Sequence, residues 1–156
     1  MKIRALTLIQ PWATLIALEE KQIETRSWSP NYKGKLAIHA GLKIDFDACS
    51  QPWIKAALAK HGITIPEKLP TGCVIATCTI FDYKQMVYNH DAKHDVEVPG
   101  YKLSDQEYAM GYYEHGRWAW ILANVVQPDQ PILARGKQRL WNFETTSIKF
   151  HGKEWV

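Results

Sequence analysis

Between residues 72 and 83 the chain reads GCVIATCTIFDY, a run of β-branched, aromatic and small residues with turn formers before it. Side chains stiff at χ1 fit a pleated strand better than a helix, so this run predicts one long strand that needs paired neighbours and cover. Further strand patterns supply the neighbours: residues 2–9 (KIRALTLI), the alternating segments 23–28 and 35–40, residues 117–124 (RWAWILAN) with Trp118 and Trp120 on one face, and a final stretch over 132–143 interrupted at Gly136. Helical spacing is predicted for about 11–20, where Pro11 suits the first position, and for 45–61 with a break at Ser50-Gln51-Pro52, Ser50 capping the second piece and Gly62 ending it. Ser104-Asp105-Gln106-Glu107 has the capping-box form and starts a short helix that ends by Gly116. Residues 65–71, with two prolines, read as a loop, and the polar, aperiodic residues 84–100 as an exposed, mobile insertion. Strands joined by irregular connections, with helices placed early, predict an α+β domain built on a small twisted barrel with flanking short helices.

At 156 residues the chain fits a single domain spanning 1–156, long enough to bury a core without staples. A hydrophobic share of 46% with 22% charged residues excludes a disordered or fibrous chain. No stretch approaches the roughly 18 apolar residues of a membrane span, and Met1-Lys2-Ile3-Arg4 opens no signal peptide, which predicts a soluble, cytoplasmic protein with no membrane partner. Cys49, Cys73 and Cys78 are odd in number and form no C-x-x-C pair, so the expectation is buried thiols, with Cys73 and Cys78 on opposite faces of one strand. A net charge of +3 is too mild to name a partner by itself; clustering of the cations decides.

One cluster follows the first helix directly, over residues 21–28 (KQIETRSW). Period-two geometry puts Glu24, Arg26 and Trp28 on one face, with Lys21 just before the strand. Arg26 offers a planar fork for a phosphate or a base edge, Lys21 a point charge, and Glu24 an acceptor for an exocyclic amine or a brace for the arginine. Three such polar groups flanking a short apolar strand are costly to bury without a ligand or a network, which favours a site over a plain ion pair. Trp28 and Trp12 are candidates for stacking a base, although the position of Trp12 beside Leu15 and Ile16 favours a core role. A second cluster, Arg135, Lys137 and Arg139 around Gly136, reads equally as a phosphate contact, with Lys33 and Lys35 extending a positive rim, or as a solvated loop. His39 is a candidate general base, with a hydrogen-bonded structural role the safer reading. His90 and His94 stand at metal-ligand spacing for a helix but have no third ligand, so no metal and no cofactor is assigned.

The K-x-x-E-x-R pattern of Lys21, Glu24 and Arg26 after Gln10-Pro11-Trp12 resembles the ASCH domain, the activating signal cointegrator homology family, whose motif is G-x-K-x-x-E-x-R; Glu19 stands where the family usually has glycine. Blocks at 3–40, 70–82, 116–122 and 135–141 resemble the family in order, while 41–69 and 84–103 are least diagnostic. The resemblance implies a PUA-like β-barrel with a cleft beside the motif strand, in a superfamily that chiefly binds RNA or DNA. Some small bacterial relatives are acetylcytidine amidohydrolases, with a lysine at the Lys21 position, a threonine nucleophile at the Glu24 position and a glutamate on a later strand. Here Glu24 replaces the threonine, Thr25 is expected on the other face, and the later strand has no carboxylate before Asp82. Other members resemble ribonucleases, for which Lys21 would act with Tyr32 or His39. The leading expectation is a module binding RNA or single-stranded DNA, a modified nucleotide included. The alternatives are a hydrolase of modified nucleosides or RNA with Lys21 as its catalytic residue, and a protein-interaction adaptor.

Overall fold

The computed structural model describes residues 2–145 and the backbone of residues 149–150 and 153–154. Strand β1 (Lys2–Gln10) leads into helix α1 (Trp12–Ala17), the short β2 (Ile23–Arg26), the long β3 (Gly34–Ile44), helices α2 (Phe46–Ser50) and α3 (Pro52–Lys60), and β4 (Cys73–Gln85). Then come the hairpin β5 (Val87–Tyr88) and β6 (Val96–Glu97), helix α4 (Asp105–Ala109), β7 (Trp118–Val126), β8 (Ile132–Leu133) and β9 (Leu140–Glu144), with a small ladder of β10 (Lys149–Phe150) and β11 (Lys153–Glu154). The architecture is α+β. Its main sheet has the order β2-β7-β4-β3-β1-β9, with β8 also pairing with β4; only the β1–β3 pair is parallel.

Alternation decides which side chains meet. Leu6 and Leu8 of β1, Leu36, Ile38 and Ala40 of β3 and Trp120 and Leu122 of β7 line one face, and Ala13, Ile16 and Ala17 of α1 pack there. Ala5, Ala37 and Val74 point the other way and meet Trp141 and Phe143 of β9. Apolar area removed from water on both faces holds the sheet. Its strand pairing is open, however, and does not close into the expected barrel: β2 has four residues, and β9 stays beside β1 only as far as Leu6. Beyond that point a side chain spans the gap, Arg26 Nη2 of β2 donating to Thr7 O of β1 at 3.2 Å. This open seam positions the cleft described below.

Four local expectations are corrected. Pairing shifts between Ile38–Ala76 and His39–Val74, so Ile75 is an extra residue in β4; this bulge reverses the parity, and Cys73 and Cys78 end in the same core cluster rather than on opposite faces. Pro11 is the residue before α1, which is shorter than the pattern suggested. Gln51 rather than Ser50 caps α3, its Oε1 accepting from Ile54 N at 2.8 Å, with Pro52 in the first turn. Residues 84–100 are not a loose loop either, because Met86, Val96 and Val98 are buried with Ile23 and Ala119 in a core cluster of their own. In that segment His94 stacks on Tyr108 at 3.8 Å and bonds to Asp105, while His90 packs against Tyr88. Among the described residues no helix is long and apolar enough to cross a membrane.

Candidate nucleic-acid interface

The motif is presented by the way α1 ends. Glu19 has a left-handed φ of 60°, Glu20 N donates to Leu15 O and Glu19 N to Ile16 O, each at 3.0 Å; these are the two bonds of a Schellman turn, in which the left-handed position favours glycine. The glycine usual in the ASCH motif has a physical counterpart here, since Glu19 adopts the conformation a glycine takes without strain. The turn delivers Lys21 inward to 1% exposure, where Nζ pairs with Glu107 Oε2 at 3.3 Å. The other oxygen of Glu107 accepts the main-chain N–H groups of Gln22 and Ile23. Ser104 accepts from Glu107 N as a capping serine should, but the glutamate side chain reaches β2 instead of returning to Ser104.

Along β2, Ile23 turns into the cluster of Met86 and Val96, whereas Glu24 and Arg26 turn to the seam. Glu24, 6% exposed, accepts from Thr25 N at 2.9 Å through Oε1 and pairs through Oε2 with Arg26 Nη2 at 3.4 Å. Arg26 Nε is buried with no hydrogen-bond partner.

A cleft of about 740 Å³ occupies the seam between Thr7–Ile9 of β1, β2, the Met110–Tyr112 turn and residues 137–139. That volume lies within the roughly 300–1,000 Å³ of ligand pockets. Lys21, Glu24, Arg26, Trp28, Trp12, Lys137 and Arg139 all line it. Trp12 is partly buried against the α2–α3 cluster, its Nε1 donating to Met110 O at 2.9 Å, so it serves core and cleft together. Trp28 meets Trp120 edge-on at 4.9 Å, and the Arg139 guanidinium lies 4.1 Å from its ring centroid; Trp28 is therefore not a bare stacking platform. Arg139 itself has φ 58°, a strained backbone setting for a non-glycine residue.

His39 and Arg135 fall elsewhere, in a second cleft of about 1110 Å³ that shares Thr7, Ile9, Lys137 and Gln138 with the first. His39 Nε2 contacts Ala134 O at 2.7 Å and Nδ1 contacts Thr7 Oγ1 at 3.1 Å, while Trp141 Nε1 donates to that hydroxyl at 3.0 Å. One direction of donation satisfies the whole chain: indole to hydroxyl, hydroxyl to Nδ1, Nε2–H to carbonyl. Both ring nitrogens of His39 are thus engaged within the protein. Lys33 pairs with Asp82 at 3.2 Å, Tyr32 donates its hydroxyl to Lys35 O at 2.8 Å, and none of these residues lines either cleft.

Sequence reasoning missed three lining groups. Thr25, expected on the far face, lines the cleft because β2 is the edge strand, and its Oγ1 accepts from Tyr112 N at 3.2 Å. Arg117 lies over the Tyr112 ring at 4.2 Å, its Nε donating to Tyr112 O at 3.1 Å, and Tyr112 itself lines the cleft with it. Arg117 directly precedes the strand that begins at Trp118, so a charged residue heading an apolar strand was the available signal. Behind Lys21, burial raises the Tyr113 hydroxyl far above its ordinary range, helped by Glu107. The three thiols are buried: Cys78 is pushed up to about 12 by burial, which raises Cys49 and Cys73 as well. Among the described residues no three His, Cys, Asp or Glu side chains gather into a metal site.

The molecule is thus an open α+β sheet whose seam holds a cation-rich, partly aromatic cleft. Residues 6–131 match the model of the ASCH domain, and the chain belongs to that family. No curated protein matches it.

Proposed function

We propose that this ASCH protein binds RNA or single-stranded DNA by admitting a nucleotide, a modified one included, into the seam cleft. The family is generally RNA-binding, and the fold is read as PUA-like, a superfamily that chiefly binds RNA or DNA. The observation that carries the reading is charge: the cleft lining includes Lys21, Arg26, Arg117, Lys137 and Arg139 against the single carboxylate of Glu24, in a chain whose net charge is only +3. Lys21 and Arg26 already hold carboxylates, so Arg117, Lys137 and Arg139 are left to meet phosphates. The unpartnered Arg26 Nε–H supports a ligand acceptor at the floor, since a buried donor without a partner costs about 1–3 kcal/mol. Glu24 keeps free lone pairs for the exocyclic amine of a base.

Fluorescence anisotropy with short RNA and single-stranded DNA tests the reading. Arg26→Ala and Arg139→Ala are each expected to weaken binding about tenfold, the loss of one charge-assisted contact. Affinity should fall as salt rises, with a log–log slope of about 0.7 per phosphate contacted. Parent-like affinity in both variants sinks the proposal.

One observation favours a second reading. Lys21 and Thr25 both line the cleft, so a hydroxyl stands on the same cleft as the lysine although Glu24 replaces the family's threonine. Incubation with acetylated cytidine and with labelled RNA, comparing the parent with Thr25→Val, tests for hydrolysis; absence of product from the parent in both reactions eliminates it.

A further inference from the structure

The second cleft is lined by Lys43, Arg135 and Lys137 and by no carboxylate. Its mouth carries Leu42 and Leu133, which are 84% and 86% exposed, with Ile9 beside them. Two fully displayed leucines next to three cations make a surface with an apolar part and an anion-binding part, the composition that a nucleotide's sugar or base edge and its phosphate require.

The wall between the two clefts is the segment from Arg135 to Arg139, and its side chains divide: Arg135 lines the second cleft, Arg139 the first, and Lys137 both. At Gly136 the wall is reduced to main chain. A Cβ there would lie 2.7 Å from Thr7 Oγ1 and 2.8 Å from His39 Cε1, so no other residue fits without displacing the hydrogen-bonded Thr7–His39 pair. That pair, tied to Ala134 and Trp141, braces the wall from behind.

We infer that the second cleft is a subsite for the neighbouring nucleotide of the same strand: the sugar–phosphate backbone crosses the wall between the clefts, Lys137 and Arg135 take successive phosphates with Lys43 beyond them, and the adjoining sugar or base edge rests on Leu42 and Leu133. The inference rests on the reading of the first cleft as a nucleotide site. Continuity of the two linings through four shared residues favours one strand passing through both over a separate partner on the second cleft.

Anisotropy titrations with an eight-nucleotide random-sequence RNA and with a mononucleotide pool test it. Lys43→Ala/Arg135→Ala changes exposed side chains, so the fold is retained. The double variant is expected to lose about tenfold or more in affinity for the eight-nucleotide RNA and to lower the salt slope by about 1–1.5, while binding mononucleotide as the parent does. Unchanged affinity and slope in the double variant, with Arg26→Ala still weakened, overturn the subsite and leave the first cleft standing. If Arg26→Ala is also unaffected, or the parent binds no RNA, both readings fall together. Sedimentation with vesicles of phosphatidylserine and phosphatidylcholine is the control: a double variant that loses vesicle binding but keeps RNA affinity assigns the cleft to a membrane surface and overturns the inference.

Discussion

Glu19 shows how a helix can close with a left-handed turn at a residue other than glycine. Its φ of 60° belongs to the left-handed region, where a side chain is strained and glycine is not. The two capping bonds at Ile16 O and Leu15 O form regardless, so the turn holds and Lys21 is delivered inward. Glu19→Gly removes the strain at an exposed position and is expected to stabilise the fold by about 0.5–1 kcal/mol, seen as a higher midpoint in urea unfolding. A lower midpoint would mean that the glutamate side chain contributes something its geometry does not reveal.

At the level of elements, α4 and β2 are joined by one carboxylate. Glu107 accepts from Gln22 N and Ile23 N, pairs with Lys21 Nζ, and takes a long bond of 3.4 Å from Tyr113 Oη. Breaking a buried ion pair by neutralising one partner costs about 3–5 kcal/mol, because the other charge is stranded. Glu107→Gln is therefore expected to destabilise by about 3 kcal/mol in urea unfolding, and adding Lys21→Met to recover most of that loss. Independent, additive losses in the double variant would show that Glu107 acts through the backbone N–H groups alone.

Across the whole molecule, Glu20 ties together the ends of three helices. Its carboxylate meets Lys60 Nζ at 2.8 Å and His61 Nε2 at 2.9 Å, and Gln106 Nε2 donates to its carbonyl at 2.8 Å. Hydrogen bonds from Lys60, His61 and Gln106 hold its pKa at about 2, against an ordinary 4.5. A carboxylate whose pKa falls on folding adds stability above its unfolded value, and that contribution disappears as pH drops from 4.5 towards 2. With Lys60 largely in solvent, the contribution at neutral pH is about 1–2 kcal/mol. Glu20→Gln should accordingly lower Tm at pH 7 and flatten the acid-side decline of Tm; two parallel Tm–pH curves would contradict this role.

Periodicity and chemistry along the chain determined a good deal. The strands around 2–9, 35–40, 72–83 and 117–124, the α+β class, the placement of Glu24 and Arg26 on one face, and the family are all legible there, because side-chain alternation and motif spacing are local properties. Non-local pairing decided the rest. The bulge at Ile75, the diversion of Glu107 from its own helix to β2, the split of His39 and Arg135 from the Lys21 cleft, and the burial of Met86, Val96 and Val98 each depend on which distant backbone lies alongside. The cleft itself is the clearest case: it exists because β9 leaves β1 at Leu6 while β2 ends the sheet on its other side, a gap between strand edges that no run of neighbouring residues encodes.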